Sequence, residues 1–259
     1  PQVRGAINNT LSYTKSASYT GVRSVLPQGI PNNEGVFRAI EVICPPGTVG
    51  HGVLPAACAA RGLTGFRMVD CMYGALAMML PDKVKAAGDG GNSGISIGGY
   101  TKERKPFVYV EFTCGAWGAR PWADGLNGNS HMFANQSCPS ADVIEAEQPV
   151  AVLAYEFVAD KCGAGKFRGG VPFRRAYRFI EDAGQLSVRS DRKTHRPFGL
   201  YGGSPGEPSE NHLNPFAENK PLPSKVTMDI TKGNVFQHTH PGGGGEFRVI
   251  VRVADAVLD

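Results

Sequence analysis

From residue 89 onward, short apolar runs alternate with glycine clusters, and this limits what the chain can build. The runs are "ISIGGY", "PFVYVEFT", "VAVLAYEFV", "FRRAYRFI", "QLSVRS", "KVTMDI", "NVFQH" and "EFRVIVRV", separated by Gly, Pro and Asn. Alternating apolar and polar residues between turn formers predict antiparallel strands. With 34 glycines and 19 prolines in 259 residues, backbone punctuation is too frequent for a helical bundle. One helical turn is expected at "SADVIEAE", with Ser140 as N-cap. Residues 1–88 read differently. Leu11, Thr14, Ala17, Val22 and Val25 recur at helical spacing until Pro27, and "VFRAIEVICPPG" reads as a strand with a hard stop. Residues 55–80 form the longest helical candidate, which Gly62 and Gly65 are expected to weaken or split. The predicted class is α+β: a mixed segment over 1–88 that continues a domain whose start is missing, then a β-rich region over 89–259.

Composition narrows the function classes. The formal charge of +4 points to no polyanionic partner, and nucleic acid is not expected. A basic stretch at 166–196 is read as strand-face arginines or a protein interface. No apolar run reaches the length of a membrane span, and the six cysteines form no CxxC pair, which together predict a reduced, cytoplasmic protein. GxxxxGK[ST] and G-x-S-x-G are both absent, so neither a phosphate-binding loop nor a serine nucleophile elbow is predicted here.

Eight stretches in order resemble the hydantoinase B family, which includes the large subunits of ATP-dependent hydantoinases, 5-oxoprolinases and acetone carboxylases. They are "PQVRGAIN", "IPNNEGVFRAIEV", "PAACAARGLTGFRMVD", "GAWGARPWADG", "YEFVADKCGAGKFRGG", "RSDRKTHRPFGLYGG", "GEPSENHL" and "PGGGG". The chain is similar to the C-terminal half of that family. The resemblance implies a hydrolase subunit, in a hetero-oligomer with the remainder of the hydantoinase B polypeptide and a hydantoinase A-type ATPase subunit. That partner, using ATP and Mg, would phosphorylate the carbonyl oxygen of a small cyclic amide before the ring opens. It also implies a divalent metal, Zn or Mn, held in the N-terminal half, so no metal ligand is carried over to this chain. Two alternatives stand beside it: a subunit of an ATP-dependent ketone carboxylase, and a non-catalytic interaction module.

Candidate pocket residues follow. Asn32, Asn33 and Arg38 can orient a polar cyclic substrate or form an ordinary turn. Arg61 interrupts an apolar helical segment, where a buried guanidinium needs an anion or carbonyl partner. In "GAWGARPWADG", Gly115 and Gly118 permit close backbone approach, while Arg120 can clamp an oxyanion or pair with Asp124. The glycine loop "GDGGNSG" offers the same backbone access or a tight turn. His131 is either a proton carrier or, as the commoner case, a solvent-facing loop histidine. In "QHTHPGGGGEF", Gly242, Gly243, Gly244 and Gly245 are expected to turn sharply, approach a neighbour closely, and close the edge of a pocket or of a subunit. His238, His240 and Glu246 offer a cupin-like metal site as a competing reading, since H-x-H puts both imidazoles on one strand face.

Overall fold

The computed structural model describes residues 1–91 and 93–247. Near the start, Thr10 accepts a hydrogen bond from the Tyr13 N–H and so caps helix α1, Leu11–Arg23. Asn33 caps a single turn, α2, Glu34–Phe37, in the same way. The expected strand over 36–44 is therefore not formed. Val36 and Phe37 are helical, and the alternation of Val42 and Cys44 with exposed Glu41 and Ile43 meets no pairing strand among the described residues. Periodicity without a ladder partner leaves extended coil.

Helix α3, Arg61–Ala77, starts later than predicted and is unbroken. Its buried face is Phe66, Val69, Tyr73 and Ala77, of which Val69, Tyr73 and Ala77 pack with Ala17 of α1, Val25 and Val84. Gly65 does not split it. A Cβ there would lie 2.1 Å from the Tyr13 ring, so the glycine lets α1 press an aromatic side chain onto the helix. That contact offsets the helix penalty of glycine, about 1 kcal/mol.

The rest is a two-sheet sandwich, with α4 (Ala141–Glu147) leading into it. One sheet has the order β2-β1-β5-β8, from Pro106–Thr113, Ser93–Tyr100, Ala183–Arg189 and Lys225–Thr231. The other has the order β3-β4-β9-β6-β7, from Val150–Phe157, Phe173–Phe179, Val235–Thr239, Glu210–Leu213 and Lys220–Pro221. All pairings are antiparallel. Strands β6 and β7 carried no readable signal, being four and two residues long. The run "EFRVIVRV" lies mostly outside the described residues.

Ile95, Ile97, Leu186, Val188 and Ile230 from one sheet share a single core with Tyr177, Phe179, Leu213 and Phe236 from the other. Burying each such side chain is worth about 1.5–3 kcal/mol, so face-to-face packing dominates this half. The inward rows are not uniform. Tyr177, Phe236 and Leu213 form an apolar row across β4, β9 and β6, and two residues along each strand runs a polar row of Arg175, His238 and Asn211. The sandwich is thus oily in the middle and polar toward one end.

The four consecutive glycines sit at that end without the expected sharp turn, but with the expected close approach to their neighbours. Gly242–Gly245 are all buried, and none has a positive φ. They thread among several other segments, and every one of their N–H groups donates to a neighbouring carbonyl: Glu207, Gly170, Ala87 and Ser204 in order. A Cβ on Gly243 would lie 2.0 Å from the Trp117 carbonyl oxygen, and on Gly242 1.7 Å from that of Lys161. Glycine is required here for close packing of backbone on backbone. Gly115 and Gly118 serve the same layer, packed against Asp89 and Ala86.

Candidate functional site

The apolar stripe of α3 contains one anomaly, Asp70, which is 4% exposed beside Val69. A buried carboxylate demands charged or polar partners, and α3 itself and three loops supply them. Arg192, just beyond β5, places Nη2 2.5 Å from Asp70 Oδ2, and Arg67, one helical turn before Asp70, places Nη1 3.2 Å from the same oxygen. His131 arrives from the loop before α4, with Nε2 3.5 Å from Asp70 Oδ1. Lys85 completes the charge environment from the segment after α3. Gly90 makes the convergence possible. It has a φ of +62°, and a Cβ there would fall 2.0 Å from Asp70 Oδ2. Asp89 and Gly90 of the "GDGGNSG" stretch therefore belong to this cluster, and the Asp89 carbonyl accepts from both Arg67 and Arg192.

Electrostatics assign each group a state. Burial alone would raise the Asp70 carboxyl, but the contact with His131 and the charges of Arg192 and Lys85 outweigh it, and it is held well below the usual carboxylate range. Such a group is a fixed anion at neutral pH and not a general base. His131 accepts from the Phe133 N–H at Nδ1, so the neutral ring carries its proton on Nε2, facing Asp70. Burial lowers its pKa despite the neighbouring carboxylate, and the neutral form holds at pH 7. Lys85 is also lowered by burial, with Asp70 opposing and Arg192 reinforcing. Its ammonium lies 5.1 Å from the Trp117 ring centroid and 5.5 Å from that of Tyr73. Burial pushes the Tyr73 hydroxyl up to about 12.

This cluster borders two hollows. A groove of about 440 Å³ is lined by Arg67, Asp191, Arg192, Lys193, His195 and Lys225, with Leu63 and Ile7 on its apolar wall. Asp191 ties Arg67 (3.4 Å) to Lys225 (2.8 Å) and is held below its ordinary pKa: burial raises it, but Arg67 and Lys225 prevail. Cations outnumber carboxylates around the groove, so it suits an anionic group. On the other side, a smaller hollow of about 130 Å³ is lined by Lys85, Tyr73, Trp117, Arg120 and Trp122.

Because the folded pKa of Asp70 is depressed, its contribution to stability is present above its unfolded pKa of about 3.9 and is lost as pH falls toward the folded value. Asp70→Asn is expected to destabilise by about 2 kcal/mol at pH 7, less than a fully buried pair because water reaches Arg67. Its stability should also fall less steeply than wild type below about pH 5 in urea titrations.

The residues singled out from sequence are dispersed. Asn32 accepts from Arg23 Nε, Asn33 is the α2 cap, and Arg38 is exposed at the other end of that turn. Arg61 is exposed rather than buried, with its guanidinium over Tyr13 at the mouth of a separate hollow of about 220 Å³. Arg120 makes no ion pair with the Asp124 carboxylate. Its Nε and Nη2 both donate to the Asp124 main-chain oxygen, while the Asp124 carboxylate takes Arg168. His131 joins the cluster and is 4% exposed, so the solvent-facing reading is overturned. His238 and His240 do share a face, their ring centroids 4.4 Å apart. The His238 ring donates from Nδ1 to Asn211 Oδ1 at 2.7 Å, and burial holds its pKa well below the ordinary value. Glu246 pairs through its main chain with Phe167 and Leu200, and among the described residues no three His, Cys, Asp or Glu side chains come together as a metal site.

Sequence reasoning missed Asp70, Arg67, Lys85 and Arg192. The available signal was a carboxylate inside an apolar helical stripe with an arginine three residues before it. It also missed the buried inter-sheet network in which Glu111 accepts from Arg175 Nη1 (2.5 Å), Tyr109 (2.5 Å) and Tyr177.

The glycine layer, the α3 cluster and the sandwich lie within the span matched by one family model, hydantoinase B/oxoprolinase, over residues 1–246. The chain belongs to the hydantoinase B/oxoprolinase family. Among its relatives, a putative D-/L-hydantoinase of the B-subunit type from a Pseudomonas strain is 30% identical over 253 residues, covering 93% of this chain and 42% of the relative. The fold matches that of the ATP-dependent caprolactamase from Pseudomonas jessenii, with a TM-score of 0.80 and 21% identity over 95% of this chain and 45% of that one. Acetone carboxylase gives a TM-score of 0.67 at 15% identity, over 93% of this chain and 38% of that one. This family member spans less than half the length of these matches. No helix among its described residues is long and apolar enough to cross a membrane.

Proposed function

We propose that this chain is the C-terminal part of the substrate-handling subunit of an ATP-dependent cyclic-amide hydrolase, acting on a hydantoin, 5-oxoproline or related lactam. The observation that carries the reading is the cationic groove of Arg67, Arg192 and Lys225 in a member of the hydantoinase B/oxoprolinase family. An amide carbonyl is a poor electrophile, and converting its oxygen to a phosphate ester supplies a leaving group. A partner ATPase subunit carries out that step, using ATP and Mg. The groove then holds the resulting phosphate, or a substrate carboxylate, through charge-assisted hydrogen bonds. Asp70 and Asp191 keep the guanidinium groups aimed. The role proposed for this chain rests on the arginine, lysine and aspartate side chains that line the groove.

The assembled enzyme carrying Arg67→Met should lose about 10–100-fold in kcat/KM for substrate-dependent ATP hydrolysis, the equivalent of one charge-assisted contact. Arg67 is chosen because Arg192 still neutralises Asp70 in its absence. A panel of hydantoin, 5-oxoproline and caprolactam should reveal coupled hydrolysis with the wild type. Failure across that panel, together with bicarbonate-dependent consumption of a ketone, would replace this reading with the carboxylase one.

A further inference from the structure

Cys114 follows directly on β2 and is buried, while Cys138 sits half-buried in the loop before α4. Their sulfur atoms are 4.0 Å apart, so closing to a disulfide bond, about 2.05 Å, needs a displacement of about 2 Å. Two hydrogen bonds clamp the Cys138 loop over the strand end. Gln136 Nε2 donates to the Phe112 carbonyl at 3.0 Å, and Arg175 Nη2 donates to the Pro139 carbonyl at 3.0 Å. The residues flanking Cys138, Ser137 and Pro139, are not buried, which leaves that side of the pair reachable by small molecules.

We propose that Cys114 and Cys138 form a reversible dithiol–disulfide site that reacts with hydrogen peroxide, Cys138 being the attacking thiol and Cys114 the resolving one. The roles follow from their surroundings. The hydrogen bond from Cys114 stabilises the Cys138 thiolate against its own burial, and Arg175 adds to the effect, holding this thiol below its ordinary value. The same interaction, with burial, pushes Cys114 up and keeps it protonated. The Cys138 thiolate attacks one peroxide oxygen, the O–O bond breaks, and hydroxide leaves, giving a sulfenic acid. Cys114, losing its proton, then attacks the Cys138 sulfur and displaces hydroxide as water. In total one peroxide is reduced to two waters as the two thiols become one disulfide. The bond would close a loop containing Trp117, Arg120 and His131, so oxidation would immobilise the segment that brings His131 to Asp70. A small thiol reductant reverses it by exchange.

The test is stoichiometric hydrogen peroxide added at pH 6.5 to the protein as purified, followed by alkylation and peptide mass spectrometry without reduction. The expected first product is a peptide pair joined through Cys114 and Cys138, lighter by two hydrogens and restored by dithiothreitol. Cys71, which is exposed, with Cys44, Cys58 and Cys162, serves as an internal control. In Cys114→Ser, Cys138 should be trapped as the sulfenic acid by dimedone, and in Cys138→Ser, Cys114 should remain reduced. First oxidation at Cys71, or direct irreversible oxidation of Cys138 in the wild type, would overturn the proposal.

Discussion

Gly243→Ala is expected to prevent native packing of the whole glycine layer. Its Cβ would lie 2.0 Å from the Trp117 carbonyl oxygen and 2.8 Å from the Gly170 nitrogen. Neither neighbour is a side chain that can swing away. Both are main-chain atoms already committed to hydrogen bonds, since Gly170 donates to Trp117 and Gly243 donates to Gly170. Relieving the overlap means separating three backbone segments and breaking their bonds together. The cost should exceed the upper range of ordinary core overpacking, about 3 kcal/mol. Gly242→Ala, with 1.7 Å to the Lys161 oxygen, should behave alike. Gly29→Ala provides the contrast: nothing lies within 4 Å of its Cβ position and its φ is ordinary. It should be neutral or stabilising by up to about 1 kcal/mol. Chemical denaturation of the three variants measures the difference, and equal effects would refute the packing argument.

The second large effect lies between the sheets. Glu111 and Arg175 are 4% and 1% exposed and 2.5 Å apart, each projecting from an inward position of its strand. Arg175→Met leaves a buried carboxylate with only the Tyr109 and Tyr177 hydroxyls for company. A loss of about 3–5 kcal/mol is expected, because an uncompensated charge is left in the core. Glu111→Gln should cost a similar amount by stranding the guanidinium. The double variant Glu111→Gln/Arg175→Met should be markedly more stable than the sum of the single losses implies, since no net charge then remains buried. A double-mutant cycle from urea midpoints measures the coupling. Simple additivity would mean that the pair does not act as a unit.

These two networks also mark what could be read in advance. The alternation of Phe173, Arg175, Tyr177 and Phe179 already places an arginine among inward aromatics, and that of Tyr109, Glu111 and Thr113 does the same for a glutamate. Their partnership was hidden, because residues 64 positions apart meet only once β2 and β4 occupy facing sheets. The α3 cluster was harder still. Asp70 was visible as a break in an apolar stripe, but its partners Lys85, His131 and Arg192 come from separate loops. Conversely, Asn32, Asn33 and Arg38 stood out by residue type and proved to be engaged in or near a local turn, since capping satisfies the same polar groups that ligand binding would.

The sequence by itself determined most of the elements, because helix and strand periodicity and capping chemistry act over a few neighbouring residues. It also determined that glycine must matter near residue 243. Tertiary structure alone decided that these glycines are a buried packing layer and not a turn. It alone brought three loops to Asp70 and opened a cationic groove beside them. Those outcomes depend on which distant backbones come within a few ångströms of one another, and no short-range pattern of side chains encodes that distance.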